Sequence, residues 1–205
     1  MKTTITVFIF SLGLIHSAQA DTQTIRIAKQ TSVPLTQLNP SPNKASKGEP
    51  ITLRNITNPN CQQVQVDQFK EALLQAINEI RQHPRQCGTQ YRPATSILKW
   101  DRQLQQSAAL QAQDLAKRNT LSHLDIAGTR LKDRFERVGY KGEIGGENLA
   151  HGQKTVHQVL NDWMTLSTTH CNNIMTNGYT DYALACKVNP KTGRAYWVQH
   201  FGQRE

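Results

Sequence analysis

The sequence predicts an α+β fold in which helices cover an antiparallel sheet. From Asp67 onward, apolar residues recur every three or four positions in several separate segments, which is the spacing of amphipathic helices. Near the end of the chain, larger apolar residues occupy alternate positions before a Pro- and Gly-containing turn, and an aromatic-rich segment follows the turn, which is typical of a β-hairpin. Helices first and a hairpin last are the element order of an α+β domain.

The first two helices are predicted by their apolar stripes and their ends. The first begins at Asp67, which can cap it, and ends at His83-Pro84. The second spans about Asp101–Arg118, and its alanines indicate close packing against a neighbouring element. The buried stripes are expected to be Phe69, Leu73, Ile77 and Ile80 in the first helix, and Leu104, Ala108, Ala112 and Leu115 in the second.

Two further helices follow in the second half of the chain. A short third helix is closed by Gly139, and Thr155 with Gln158 forms a capping-box pattern that opens the fourth. Their buried stripes are expected to be Leu131, Phe135 and Val138, and Val156, Leu160 and Trp163.

The strands come at the end. In residues 181–188 the larger apolar Tyr182, Leu184, Cys186 and Val188 alternate with Asp181, Ala183, Ala185 and Lys187. Residues 189–193 contain the Pro and Gly of a turn, and residues 196–201 return as the second strand. A further short strand is expected near Ile97.

Residues 1–20 read as a secretory signal peptide. Lys2 supplies the positive start, residues 5–15 are mostly apolar, and Ala18-Gln19-Ala20 is a small-residue cleavage site. The apolar stretch is far shorter than the roughly 20 residues of a spanning helix, and no cysteine follows the cleavage site to accept a lipid. We therefore expect an exported protein without a membrane span, located in the periplasm or the extracellular medium.

The remainder divides into an arm and a domain. Residues 21–60 hold five of the eight prolines and have no useful periodicity, which favours an extended, partly disordered N-terminal arm. Residues 61–205 suit one folded domain. We expect a monomer.

The chain is strongly basic. Its formal net charge is +9, and loss of residues 1–20 would remove only Lys2 and leave +8. Such an exported protein is attracted to anionic envelope components, although the same charge can serve only solubility. Nucleic acid is a poor partner, because the Lys and Arg residues are scattered rather than clustered on one element.

Four cysteines in an exported chain indicate two disulfides. They are Cys61, Cys87, Cys171 and Cys186, and three pairings are possible. A metal-thiolate site is disfavoured, because no two cysteines have the short spacing of zinc clusters.

Two imidazoles and one carboxylate are the candidate functional groups. His123, Glu147 and His170 stand at three separated turn or helix-end positions, and together in a cleft they could hold a divalent metal such as Zn²⁺ or move protons. Ser167 and Asn148, which adjoin these positions, are candidate cleft residues as well.

A series of short motifs runs through the chain from Phe69 to Gly202. They are Leu98-Lys99-Trp100-Asp101, Leu121-Ser122-His123, Arg134 to Gly139-Tyr140, Gly146-Glu147-Asn148-Leu149-Ala150, Trp163-Met164 with His170-Cys171-Asn172-Asn173-Ile174-Met175, and Tyr196-Trp197-Val198-Gln199. In the order and spacing of these motifs the chain resembles the CAP superfamily of cysteine-rich secretory proteins, insect venom antigens and pathogenesis-related proteins, in its shorter bacterial form, the SCP domain. The resemblance implies a three-layer α-β-α sandwich, and it implies the disulfides Cys87–Cys171 and Cys61–Cys186.

In the family, two His and two acidic residues line a cleft that holds a divalent metal in several members. His123 matches the Ser-His motif and Glu147 the Gly-Glu-Asn motif. His170 matches the His after the Trp helix, but it follows Trp163 by one residue more than is usual. The second acid has no counterpart, because Leu166 and Ser167 stand at its place.

Several interpretations of this set stay open. Glu147 can instead accept hydrogen bonds that tie a Gly145-Gly146 turn to the sheet. Ser122 or Ser167 beside a His could act as a nucleophile, although neither has a nucleophile-elbow pattern. His151, His157 and His200 are interpreted as ordinary side chains, although any of them could complete a metal site.

Two functions follow. The first is a non-catalytic binding module for a lipid, glycan or protein, since family members bind sterols and fatty acids. The second is a protease-like hydrolase that uses His123, Glu147 and His170. We expect the binding module, because a second acid is missing.

Overall fold

The computed structural model describes residues 51–65 and 67–204 of the chain. The expected signal peptide and residues 21–50 of the expected arm lie outside the described residues. The last ten residues of that arm, residues 51–60, lie against the domain. Leu53 and Ile56 are buried there, and Asn60 forms a β-bridge with Thr155.

Five α-helices are present in the described part of the chain. They are α1 (Lys70–Arg81), α2 (Arg102–Arg118), α3 (Leu131–Arg137), α4 (Val156–Leu166) and α5 (Thr168–Ile174). The first four match the helices that periodicity predicts, although α1 begins after a 3₁₀ turn at Asp67–Phe69. Helix α5 is not predicted by periodicity, because only Cys171 and Ile174 among its seven residues are apolar. None of the helices in this part of the chain is long and apolar enough to cross a membrane.

Side chains and backbone geometry set the helix ends. The Asp101 carboxylate accepts a hydrogen bond from the Leu104 amide at 2.8 Å and caps α2. Asn119 ends α2 in the left-handed conformation, with φ of 53°. Thr155 caps α4 by accepting from the Gln158 amide, as the capping-box pattern predicts.

The strands form two sheets. The small one pairs β1 (Arg85–Cys87) with β2 (Gln90–Arg92), and the large one contains β3 (Lys99–Trp100), β4 (Gly142–His151), β5 (Asp181–Val188) and β6 (Ala195–Arg204). The large sheet has the order β3-β5-β6-β4. The predicted hairpin is β5 and β6, β4 pairs antiparallel with β6, and β3 pairs parallel with β5.

The interpretation of Gly145-Gly146 as a turn is wrong, because both glycines lie within strand β4. They are needed there for close packing. A Cβ built on Gly145 would stand 2.8 Å from the ring of Phe135, and one on Gly146 would overlap the hydroxyl of Tyr179. The alternation that marks a half-buried strand is missing from this segment, since residues 146–150 are all buried.

Helices cover both faces of the large sheet, which gives the expected α-β-α sandwich. One face carries Tyr182, Leu184, Trp197 and Phe201, in one core cluster with residues of α1, α4 and α5. The other face carries Ala183, Ala185, Tyr196 and Val198, which pack against α2 and α3. Alternate residues of β5 and β6 therefore enter two different cores.

Both disulfides that the resemblance implies are present. Cys61–Cys186 joins the segment before α1 to β5, and Cys87–Cys171 joins β1 to α5. No free cysteine is found within the described ranges.

Candidate functional site

The register of β4 against β6 determines where the candidate residues point. Glu147 lies opposite His200, and Asn148 lies opposite Gln199. Because neighbouring residues in a strand face opposite sides of a sheet, Glu147 enters the side covered by α2 and α3, and Asn148 enters the side covered by α5. Strand β4 is at the edge of the sheet, so the two sides meet beside it.

Both oxygens of the Glu147 carboxylate are bonded to other side chains. Oε1 accepts a hydrogen bond from Nδ1 of His123 at 2.7 Å, and Oε2 accepts from Nε2 of His200 at 2.9 Å. Oε2 also forms an ion pair with the guanidinium of Arg134. Only 3% of the Glu147 side chain is exposed, so this buried carboxylate holds the side chains of His123, His200 and Arg134 in place.

The pKa of Glu147 reflects this environment. Burial by itself would raise it, since charge is costly away from water. Hydrogen bonds from His123 and His200, together with the charges of His200 and Arg134, outweigh burial and lower the pKa to about 2. The carboxylate is therefore ionised at neutral pH and is a weak base.

Arg134 ties the loop before α3 to this carboxylate. Its Nη1 donates to the carbonyl oxygen of His123 at 2.7 Å and to that of Thr129 at 3.1 Å. Its Nη2 bonds Glu147. One guanidinium thus positions both the backbone of His123 and the acid that holds the ring of His123.

His123 is the exposed tip of the arrangement. Its side chain is 65% exposed although one ring nitrogen is bonded to Glu147. The hydrogen bond that His123 donates to Glu147 raises the pKa of His123, and burial opposes the rise. The bond to the Glu147 carboxylate assigns the N–H of neutral His123 to Nδ1. In this tautomer Nε2 carries the free lone pair that a ligand could bind.

His200 belongs to the buried half of the site. It is fully buried, packs edge-on against Phe135 at 5.1 Å between ring centroids, and donates to Glu147. Burial lowers its pKa against the opposing effect of Glu147. The interpretation of His200 as an ordinary side chain misses this role. The sequence predicts the strand that carries His200, residues 196–201. It does not predict β4, the strand that carries Glu147, so the pairing of the two residues could not be foreseen.

His170 approaches from the α5 side. Its backbone amide donates to Oγ of Ser167 at 3.2 Å, its carbonyl accepts from Nδ2 of Asn148 at 3.2 Å, and its ring packs edge-on against Trp163. Burial lowers its pKa, and the charge of His123 lowers it further. The bond from Asn148 holds the backbone of His170 beside β4, whereas His123 is bonded to Glu147 through its ring.

The other candidates have structural positions. Ser167 caps α5 by accepting from His170, and Asn148 is fully buried and donates to Oε1 of Gln199 at 2.9 Å. Ser122 accepts from the Leu124 amide at 3.0 Å. Neither Ser122 nor Ser167 forms a hydrogen bond with an imidazole ring.

The three predicted metal ligands do not fit a metal ion as one set. Glu147 lies against Nδ1 of His123, and both of its oxygens already have protein partners. Across residues 51–65 and 67–204, no three His, Cys, Asp or Glu side chains are grouped to hold a metal. His123, whose side chain is largely exposed, keeps Nε2 as the ring nitrogen that Glu147 does not bond.

One family model and one curated relative match this chain. The family model described as the cysteine-rich secretory protein family, CAP, matches residues 74–201. The uncharacterized protein YkwD of Bacillus subtilis (strain 168) is 25% identical over 181 residues, which are 88% of this chain and 65% of the relative. The chain thus spans slightly less than two thirds of that relative.

Solved structures share the fold. An extracellular protein containing a SCP domain from Bacillus anthracis str. Ames aligns with a TM-score of 0.54 and 21% identity, over 65% of this chain and 40% of that protein. An outer surface protein of Borrelia burgdorferi aligns with a TM-score of 0.57 and 20% identity, over 68% of this chain and 95% of that protein.

Proposed function

Because the chain belongs to the cysteine-rich secretory protein (CAP) family, we propose that it is an exported, non-catalytic binding module of the bacterial envelope or extracellular space. Its cleft is the edge of β4 with His123 and His170, and its ligand is a lipid with an anionic head group. The similar solved proteins are described as extracellular and outer-surface proteins, which supports export.

The occupied carboxylate of Glu147 is the observation that carries this proposal. A general base works best with a pKa near the working pH, whereas the pKa of Glu147 is about 2. Its two oxygens are also bonded to His123, His200 and Arg134. Glu147 is therefore suited to orienting His123 and not to activating water.

The described residues also place no activated nucleophile beside His123. His123 with Glu147 has the geometry of an oriented base, but no serine hydroxyl described here is bonded to its ring. Ser122 and Ser167 serve a turn and a helix cap. These positions favour binding over a protease-like hydrolase that uses His123, Glu147 and His170.

The surface around His123 supports a lipid ligand. Leu121 and Leu124 flank His123 in sequence and are exposed by 43% and 44%. Exposed aliphatic side chains beside a cleft favour contact with acyl chains. The net charge of +9 favours an anionic head group over a neutral one.

Sedimentation with phosphatidylglycerol vesicles, and with phosphatidylcholine vesicles for comparison, tests this function. We expect binding to the anionic vesicles that weakens in Leu121→Ser/Leu124→Ser and in His123→Ala/His170→Ala. Ile97→Ser, at an aliphatic residue that is 57% exposed outside this loop, is the matched control and should bind normally. Equal binding by all these variants would contradict the proposed surface.

The hydrolase alternative is tested on the same proteins with a peptide library and 4-nitrophenyl acetate. We expect no turnover above that of the buffer. Turnover that disappears in His123→Ala/His170→Ala would replace the binding function with hydrolysis.

The divalent metal stays a prediction, now limited to His123 and His170 as ligands. Calorimetric titration with Zn²⁺ of the wild type and the double variant measures it directly.

A further inference from the structure

The turn between α5 and β5 contains Asn177-Gly178, the one place in the sequence where an asparagine precedes a glycine. Asn177 is exposed and Gly178 is partly buried, and both lie outside the helices and strands. Neither residue bonds the groups around Glu147, so the chemistry of this turn does not depend on the function proposed above.

An asparagine in front of a glycine can react with its own backbone. The amide nitrogen of the glycine attacks Cγ of the asparagine, a C–N bond forms, and the side-chain nitrogen takes up the displaced proton and leaves as ammonia. Water then opens the resulting succinimide ring to aspartate or to isoaspartate. The whole reaction consumes one water and releases one ammonia, and nothing is oxidised or reduced.

The backbone nitrogen of Gly178 is available for this attack. Its N–H donates no hydrogen bond to any residue in the described part of the chain. Gly178 has a φ of +108°, a conformation that glycine adopts readily. Apart from its chain neighbours, only Oε1 of Gln203 lies within 4 Å of the place where a Cβ would stand. The side chain of Asn177 therefore has room to approach the nitrogen.

The side chain of Asn177 is held by one long hydrogen bond. Its Oδ1 accepts from Oγ1 of Thr95 at 3.3 Å, at the protein surface. Bonds between two oxygens are ordinarily about 2.5 to 3.0 Å long, so this one restrains the amide weakly. A donor on the amide oxygen also draws electrons away from Cγ, which favours attack on that carbon.

The chain is fixed on both sides of the turn. Before it, the fully buried guanidinium of Arg81 donates to the carbonyl oxygens of Ile174 and Thr176 at 2.6 and 3.0 Å. After it, Tyr179 is buried and stacks on Phe201, with 5.1 Å between the ring centroids. Isoaspartate lengthens the main chain by one methylene group between these two anchors, whereas aspartate does not change its length.

We infer that Asn177 is a site of spontaneous deamidation in the folded protein, and that its isoaspartate product loosens the turn between Arg81 and Tyr179. A neutral amide at the surface becomes a carboxylate. The protein therefore carries a position that changes slowly and irreversibly after folding.

Incubation of the full chain in a mildly alkaline buffer, followed by peptide mass spectrometry, tests the inference. Fragmentation by electron transfer distinguishes isoaspartate from aspartate. Asn55, an exposed asparagine before the β-branched Ile56, is the matched control in the same digest. We expect a modified fraction at Asn177 at least about ten-fold that at Asn55, because a β-branched residue crowds its own backbone nitrogen and glycine does not.

Two variants separate the effects of charge and chain length. Asn177→Gln should show no modification at this position, because its longer side chain closes such a ring far more slowly. Asn177→Asp supplies the carboxylate, keeps an oxygen for Thr95, and should have the Tm of the wild type. The isoaspartate form, separated by ion exchange, should melt at least about 2 °C lower than Asn177→Asp.

Three results would overturn the inference. The first is a modified fraction at Asn177 no larger than that at Asn55. The second is modification of Asn177 only in chain that has been unfolded in urea, which would mean that the folded turn protects the amide. The third is an isoaspartate form with the same Tm as Asn177→Asp, since the longer chain would then fit between the anchors unchanged.

Discussion

The substitution Glu147→Gln should destabilise the domain by about 3 kcal/mol at neutral pH. Gln has nearly the same shape as Glu, but the substitution removes the negative charge opposite Arg134, whose side chain is only 4% exposed. It also replaces one acceptor oxygen of the carboxylate by an NH₂ donor. Breaking a buried ion pair from one side costs about 3 to 5 kcal/mol. Proton linkage gives a similar value, because lowering the pKa from its ordinary 4.5 to about 2 corresponds to about 3 kcal/mol.

The pH dependence gives a sharper test. Since the folded state lowers the pKa of Glu147, its contribution is fully present above about pH 4.5 and is lost as the pH falls towards 2. Urea denaturation followed by circular dichroism, on wild type and Glu147→Gln from pH 7 to pH 2.5, measures the free energy of unfolding. The difference between the two proteins should shrink below pH 4.5.

A matched control separates burial from charge. Glu136→Gln breaks the surface ion pair between Glu136 and Lys132, whose side chains are 62% and 84% exposed respectively. It should change the free energy of unfolding by less than about 0.5 kcal/mol. If Glu147→Gln costs no more than this control, or if its effect is the same at pH 3 and pH 7, the carboxylate is not the anchor described here.

Three further predictions concern the same architecture. The pKa of His123, measured by NMR titration, should lie above its ordinary 6.5 and should fall in Glu147→Gln, which removes the bonded carboxylate. The bond of protonated His123 to Glu147 therefore stabilises the fold fully below pH 6.5, and this contribution is lost as the pH rises through the folded pKa. Replacing both Cys61 and Cys186 by Ala should lower the free energy of unfolding by about 4 kcal/mol, measured by urea denaturation against the oxidised wild type, because the bridge closes a long loop. Gly145→Ala should cost about 1 to 3 kcal/mol in the same assay, since its Cβ would stand 2.8 Å from the Phe135 ring; no loss would mean that the ring moves freely.

Local patterns were sufficient for several elements. The stripe through Leu73, Ile77 and Ile80 predicts α1, and all three residues are fully buried. The alternation over 181–188 predicts β5 with the same bounds. The spacing of the Cys residues left three pairings open, and the family resemblance selected the pair that the structure contains.

Other elements carried no readable pattern. Strand β4 contains three glycines and several polar residues, and its larger apolar side chains do not recur at alternate positions as those of β5 do. With β4 unrecognised, the contact between Glu147 and His200 had no basis in the sequence. The role of Arg134 was also hidden, because a buried arginine resembles a surface one until its partners are known.

The amino-acid sequence by itself determined the family, the first four helices, the hairpin and the candidates His123, Glu147 and His170, because motifs and periodicity are local properties. Only the tertiary structure decided that Glu147 faces α2 and α3 while Asn148 faces α5. That choice depends on the register of β4 against β6, a pairing of residues about fifty positions apart, and a shift of one residue would have exchanged the two side chains.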